Sequence, residues 1–168
     1  MISFLISAIK IIFLLGFLIG IHETGHFLIA KLCKVRVNEF AIGFGPVIWK
    51  KQGKETKYEL RLIPLGGFVN MEGEAEQSEK EGSFTKASIP RRIAIVVAGA
   101  LVNIIFAIIV YFILAMTVRG NLTNAVVGNR VLDADNFENR LYFASYNTKE
   151  FMLSIAESVK QLFTGKVS

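Results

Sequence analysis

The 168-residue chain has few groups that could crosslink or solvate it. It contains a single cysteine, Cys33, which cannot form an internal disulfide and is interpreted as a small apolar core residue. Residues 93–118 contain no charged side chain. Since 52% of all residues are hydrophobic, the composition is too apolar for an ordinary globular domain. These features predict an integral membrane protein and exclude a disulfide-stabilised fold.

Two apolar segments meet the requirement of about 20 residues for crossing the hydrocarbon layer of a bilayer. They are residues 1–32, interrupted by Lys10, and residues 93–118. The first segment has no basic region before it and no small-residue cleavage site, so it is not typical of a removed secretory signal. We therefore expect two retained transmembrane helices.

The remaining segments predict a mainly α-helical membrane protein with a small β-rich region. Residues 33–72 alternate short apolar stretches with glycines, which favours short strands and tight turns in a cytoplasmic or membrane-associated region. Residues 73–92 form a predicted polar linker and residues 119–147 an extracytoplasmic polar segment. Residues 148–168 place apolar side chains at helical spacing among charged ones, as expected of a C-terminal amphipathic helix.

The net charge of +5 is distributed as in a membrane protein. Of the 19 Lys and Arg residues, 12 lie from Lys31 to Arg92, between the two apolar segments. Because positive charge is concentrated in cytoplasmic loops, both termini are expected outside and the middle region inside. This distribution indicates the lipid bilayer as partner and argues against a nucleic acid.

A His-Glu-x-x-His pattern ends the first apolar segment, at His22, Glu23 and His26. On a helix, residues four apart point the same way, so the two imidazoles can hold one Zn²⁺ while Glu23 acts as a general base on water. The pattern also occurs by chance in soluble proteins. Ionisable groups in hydrocarbon cost about 2.5 to 3.5 kcal/mol each, so three within five residues favour a metal in a water-filled cavity.

Two further features can be interpreted in more than one way. The β-rich region could only hold the helices apart, or its edge could capture an extended peptide by strand addition. Asn103 is a polar residue within the second apolar segment, four residues after Gly99. It could join helices by a hydrogen bond, or line the catalytic cavity and bind substrate. Gly16 and Gly20 indicate a helix-packing face.

Four motifs in order resemble the site-2 protease family of intramembrane zinc metalloproteases, of the bacterial regulator of sigma-E protease type. They are His22-Glu-Thr-Gly-His26, Phe40-Ala-Ile-Gly-Phe-Gly-Pro46, Ile63-Pro-Leu-Gly-Gly-Phe-Val-Asn-Met71 and Ala98-Gly-Ala-Leu-Val-Asn103. The similarity extends from residue 1 to about residue 118.

The resemblance implies a three-helix catalytic core, a membrane-associated β-hairpin region, and hydrolysis of peptide bonds in or near transmembrane segments of membrane proteins, such as an anti-sigma factor, in the bacterial cytoplasmic membrane. It assigns zinc binding to His22 and His26 and the acid/base role to Glu23. Asn103 matches the family's Gly-Pro-x-x-Asn motif, although Ala100 replaces the proline.

The resemblance also implies parts that are not evident in this sequence, namely a PDZ domain and a third core helix whose Leu-Asp-Gly motif supplies the third zinc ligand. Asp133 lies in Leu-Asp-Ala, but in a polar stretch that disfavours a fixed ligand. The leading hypothesis is an intramembrane zinc endopeptidase, or its N-terminal part, acting in regulated intramembrane proteolysis. The alternative is a catalytically silent membrane scaffold or adaptor, and the third ligand discriminates between them.

Overall fold

A computed structural model describes residues 2–76, 78–117 and 122–164. Its elements are α1 (Ile2–Leu32), β1 (Val37–Gln52), β2 (Lys57–Met71), α2 (Ile89–Met116), β3 (Ala125–Val127), β4 (Arg130–Leu132) and α3 (Phe137–Thr164). They form two units, residues 1–104 and 105–168. The predicted end of the second span at Val118, and parts of the predicted segments 119–147 and 148–168, lie outside the described residues.

Helices α1 and α2 are long and apolar enough to cross a membrane, with 31 and 28 residues. Only 6% and 17% of their most apolar windows are buried within the protein. The core helix of a soluble protein would be mostly buried, because exposed apolar surface of this size is unfavourable in water. The prediction of two long apolar helices separated by a small sheet region is confirmed.

Strands β1 and β2 form a β-hairpin in which each strand folds back, so that four short segments pair in the order 67–70, 39–42, 57–60 and 49–52. The short strands that the sequence predicts are therefore present. Residues 39–42 pair twice, once with residues 57–60 and once with residues 67–70 of β2. The strands change direction at glycines with positive φ, including Gly43 at 90° and Gly66 at 95°. Because glycine adopts such angles without steric cost, these positions bend the strands where the sequence predicts turns.

The hairpin packs against α1 through the predicted glycine face. A Cβ atom on Gly16 would lie 1.7 Å from the carbonyl oxygen of Pro64, so only glycine allows this approach. One turn later, a Cβ atom on Gly20 would lie 3.9 Å from the Ile42 side chain, which is an ordinary contact. The predicted packing face therefore contacts the β-hairpin.

The first unit has a small buried core. It contains side chains from α1, the turn after it, β1, β2 and α2, namely Ala30, Val35, Val37, Met71 and Ile95. After β2, the chain returns along this core, since the Phe84 amide donates to the Glu72 carbonyl and the Arg36 amide donates to the Gly82 carbonyl. The predicted polar linker is thus held by backbone hydrogen bonds, and it leads into α2 at a fixed position.

The second unit contains a tight hairpin and α3. Strands β3 and β4 pair antiparallel through a turn at Gly128. Val127 and Leu132 of these strands form a buried cluster with Leu122. Helix α3 begins at Phe137, where the Asn136 side chain caps the Asn139 amide at 2.9 Å. This is earlier than residue 148, where the apolar periodicity begins.

Candidate active site

Helices α1 and α2 approach each other closely at small residues. A Cβ atom on Gly25 would lie 2.8 Å from the Ala98 carbonyl oxygen and 3.1 Å from the Gly99 Cα atom. This approach needs the absence of a side chain on both helices, as is common in membrane helix pairs. It brings the backbone of α2 against the turn of α1 that carries His22 and His26.

His22 and His26 point together into this contact. Their Nε2 atoms are 3.1 Å apart, and their ring planes are inclined at 74°. Two nitrogen ligands that are each about 2.0–2.1 Å from a tetrahedral zinc ion are separated by about 3.3 Å. The observed separation therefore suits two ligands of one ion.

The second nitrogen of His26 fixes how this ring is protonated. Its Nδ1 atom lies 2.7 Å from the carbonyl oxygen of Ile95 on α2. Because a carbonyl can only accept, Nδ1 carries the proton and Nε2 keeps its lone pair. A backbone carbonyl in this place is the usual outer partner of a metal-binding histidine.

Gly99 provides the space in front of the two nitrogens. A Cβ atom on this residue would lie 2.5 Å from Nε2 of His26 and 2.6 Å from Nε2 of His22. A methyl group would thus occupy the volume that a metal ion bound by both rings needs. Together with the nitrogen separation and the His26 tautomer, this cradle shows that the two histidines fit a zinc ion as two of its ligands.

Glu23 lines a cavity of about 350 Å³ beside the histidines. Its other walls come from α1, β2, the following turn and α2, namely His26, Gly67, Phe68, Val69, Met71, Glu74, Ile95 and Val96. A Cβ atom on Gly67 would lie 3.0 Å from Cγ of Glu23. The end of β2 therefore contacts the stem of the carboxylate directly.

The cavity wall from β2 is also a strand edge. Residues 67–70 pair with residues 39–42 of β1 on one side, and within the described residues no strand pairs with them on the other. Unpaired backbone groups on such an edge can bind an extended peptide. A strand edge and a carboxylate thus share one cavity.

Asn103 lies at the far side of the histidine pair. Its Nδ2 atom is 3.4 Å from Nδ1 of His22, whereas its Oδ1 atom is buried and has no hydrogen-bond partner. The predicted contact with substrate stays a prediction. The contacts of Gly99 and of the Ile95 carbonyl are not predictable from the sequence, since a missing side chain and a backbone oxygen leave no signature in a sequence pattern.

A third ligand is not found where the structure describes the chain. In residues 2–76, 78–117 and 122–164, no group of three or more His, Cys, Asp or Glu residues is placed to hold a metal ion. Oδ1 of Asp133 accepts a hydrogen bond from the side-chain nitrogen Nδ2 of Asn139 at 3.5 Å, and Asp135 forms an ion pair with Arg140 at 2.7 Å. Both aspartates therefore have partners within the second unit.

Known proteins are similar in sequence to this chain over most of its length. The model of peptidase family M50 matches residues 10–168. The regulator of sigma-E protease of Escherichia coli is 42% identical over 118 residues, which cover 67% of this chain and 26% of that protein. A Fusobacterium nucleatum protein that bears a zinc metalloprotease name is 39% identical over 137 residues, covering 80% of this chain and 39% of the relative.

A similarly named protein of Clostridium acetobutylicum is 46% identical over 102 residues, covering 61% of this chain and 30% of the relative. Across these three relatives, the chain spans between 26% and 39% of their length.

Proposed function

The chain belongs to peptidase family M50, and from this premise we propose that it forms the zinc-binding part of an intramembrane metalloendopeptidase. The enzyme would hydrolyse peptide bonds in or near the transmembrane segments of membrane proteins. One observation carries the proposal: the Nε2 atoms of His22 and His26 lie 3.1 Å apart, beside a cavity lined by Glu23. This arrangement supplies two metal ligands and one general base.

His22 and His26 would hold the zinc ion through Nε2. When bound, the ion supplies a Lewis acid that polarises the scissile carbonyl and lowers the pKa of water in the site. The carboxylate of Glu23 takes the proton of the attacking water and then passes it to the leaving amine. Its position next to His22 on α1, facing the cavity, places it within the same small volume as the histidines.

The strand edge at residues 67–70 would present the substrate. A transmembrane helix has its backbone hydrogen bonds satisfied internally, so its peptide bonds are protected from hydrolysis. Adding the substrate to β2 as an extended strand replaces those bonds by bonds to the edge and exposes one carbonyl to Glu23. Because the edge forms hydrogen bonds with the substrate backbone, binding by strand addition depends weakly on substrate sequence.

We further propose a bacterial cytoplasmic membrane location with both termini outside. The 12 basic residues between the two apolar helices support a cytoplasmic middle region. The name of the Escherichia coli relative, a regulator of sigma-E, supports a membrane-bound anti-sigma factor as one substrate. Helix α3 then follows on the outer side, where an amphipathic surface would rest on the bilayer.

Zinc binding tests the ligand pair. The purified 168-residue protein in detergent should bind zinc, and His22→Ala and His26→Ala should each abolish stoichiometric binding. Glu76→Gln, an exposed change away from the cavity, is the control and should bind zinc like the parent. Unchanged zinc content in both histidine variants would refute the site.

Proteolysis tests the mechanism. Because the described residues supply two ligands and catalytic zinc usually has three, the chain alone should cleave a model transmembrane substrate very slowly. Co-expression of an apolar helix that carries Leu-Asp-Gly should restore cleavage, and a zinc chelator should remove it. Glu23→Gln should abolish the restored cleavage while zinc stays bound.

Two results contradict this mechanism, namely cleavage that survives Glu23→Gln and cleavage that resists the chelator. Zinc binding without any restored cleavage would favour the scaffold alternative. Full cleavage by the chain alone would mean that it contains its own third ligand.

A further inference from the structure

We propose that Asn103 is a positioning residue for His22, whose side-chain oxygen accepts a hydrogen bond from Nδ1–H of this histidine and thereby keeps Nε2 available for the metal. The inference rests on the proposed zinc site and goes beyond it, because it assigns to Asn103 a role on the metal ligand instead of on the substrate. Its starting point is the contact of 3.4 Å between the side-chain amide of Asn103 and Nδ1 of His22.

The side-chain amide of Asn103 has one end against His22, where Nδ2 lies 3.4 Å from Nδ1 of the ring. Its opposite end, Oδ1, is buried without a partner. Since either orientation leaves that opposite end unpaired, the requirement of His22 decides which atom faces the ring. The oxygen and nitrogen of an amide have almost the same shape, so a rotation of the group by about 180° exchanges them without disturbing the packing. The same space around His22 can therefore hold either a donor or an acceptor.

The two amide orientations have opposite consequences for His22. If Nδ2 faces the ring, Nδ1 has to accept its hydrogen bond, so the proton of the neutral ring resides on Nε2. That proton would be donated to the lone pair of His26 Nε2, which is 3.1 Å away. A protonated Nε2 cannot bind a metal.

If Oδ1 faces the ring, it accepts from Nδ1–H of His22. The lone pair of His22 Nε2 then points at the same position as that of His26 Nε2, an arrangement that suits a cation between them. His26 is held in the same way, since its Nδ1 donates to the Ile95 carbonyl at 2.7 Å. Both rings would thus be fixed by oxygen acceptors on α2, one from the backbone and one from Asn103.

Two substitutions separate the acceptor role from any donor role. Asn103→Asp keeps an oxygen acceptor and has no donor when ionised, whereas Asn103→Leu has a similar volume and neither group. Asn147→Leu is the matched control, because Asn147 donates to the Phe143 carbonyl of its own helix at 2.8 Å and lies in the second unit. His22→Ala serves as the test of the zinc site itself.

Zinc affinity of the purified full 168-residue protein is measured by competition with a chromophoric chelator. Asn103→Leu should weaken binding about 10- to 100-fold, as is typical for loss of the outer partner of a metal ligand. Asn103→Asp should bind zinc at least as tightly as the parent, and Asn147→Leu should match the parent. Nitrogen-15 NMR of the zinc-loaded parent and of Asn103→Asp should place the remaining His22 proton on Nδ1.

Parental affinity in Asn103→Leu overturns the proposal. Equal weakening in Asn103→Asp and Asn103→Leu also overturns it, because the donor would then be the important group. A His22 proton on Nε2 in the zinc-loaded protein does the same. If instead His22→Ala leaves zinc binding unchanged, the zinc site fails first, which distinguishes failure of the proposed function from failure of the Asn103 role.

Discussion

A Cβ atom on Gly99 would lie 2.6 Å from Nε2 of His22. Helix α2 thus presents bare backbone to the ligand pair on α1, and the position next to it, Ala98, is in similarly close contact with Gly25. Packing of the two helices and formation of the proposed metal site therefore depend on the same few small residues. A change that separates the helices would also displace the ligands.

Gly99→Ala should weaken zinc binding about tenfold or more, because the new methyl group would fill the space between the two Nε2 atoms. Chelator competition on the purified protein measures this effect. Gly20→Ala is the matched control, since its Cβ atom would have ordinary contacts of 3.9 Å with Ile42. Parental zinc affinity in Gly99→Ala would show that the ion binds elsewhere.

The sequence predicted the parts of the site that depend on local spacing. His22, Glu23 and His26 lie within two turns of one helix, so their common direction follows from helical geometry alone. The contacts of Gly99 and Ile95 depend on how α2 crosses α1, and no periodicity encodes that crossing. Asn103 lies between these cases, because its polarity in an apolar helix indicated a buried partner without identifying His22.

The order of the strand segments was the least predictable part of the fold. Gly43 and Gly66 lie where the strands reverse, as the sequence predicts, but the pairing of residues 39–42 with two segments of β2 has no signature in the sequence. The start of α3 was missed for a different reason. Its first turns, from Phe137 onward, are stabilised by the Asn136 cap and by contacts with the small hairpin, so they need no apolar periodicity.

Acid should loosen the turn that follows β2, because the ionised carboxylate of Glu72 holds this turn in place. Its carboxylate accepts hydrogen bonds from Ser78 Oγ at 2.7 Å and Asn38 Nδ2 at 3.0 Å, and it pairs with Lys80 at 3.2 Å. These contacts, with Ser78 first, lower the pKa of Glu72 from 4.5 to about 2. Since the folded pKa is depressed, the stabilisation is present above pH 4.5 and is lost as the pH falls toward 2.

Limited proteolysis of residues 73–86 across this pH range, with an acid-stable protease, measures the loosening. Glu72→Gln should be cleaved readily already at neutral pH and should lose this acid dependence. Glu76→Gln, which changes an exposed carboxylate in the same segment, should follow the parent. Identical pH profiles for Glu72→Gln and the parent would contradict the role of Glu72.

Reporter fusions should place residues 33–92 in the cytoplasm and the hairpin that contains Asn129 outside. The expectation follows from the basic residues that flank the inner ends of α1 and α2, including Lys31, Arg91 and Arg92. A reporter that is active only outside the membrane should be silent when fused after Glu76 and active after Asn129. Reversal of these two signals would invert the orientation and place the site near the opposite membrane face.

Gly67→Ala should lower the turnover number about 10- to 100-fold while zinc stays bound. The added Cβ atom would lie 3.0 Å from Cγ of Glu23 and 2.8 Å from the Ala41 carbonyl oxygen, so the sheet backbone blocks one side and the base has to move. A displacement of about 1 Å in a catalytic group can cost 100-fold in rate. Cleavage by the chain reconstituted with the Leu-Asp-Gly helix gives the turnover number, and metal analysis gives the zinc content. Gly20→Ala should retain both, whereas full turnover in Gly67→Ala would show that β2 does not position Glu23.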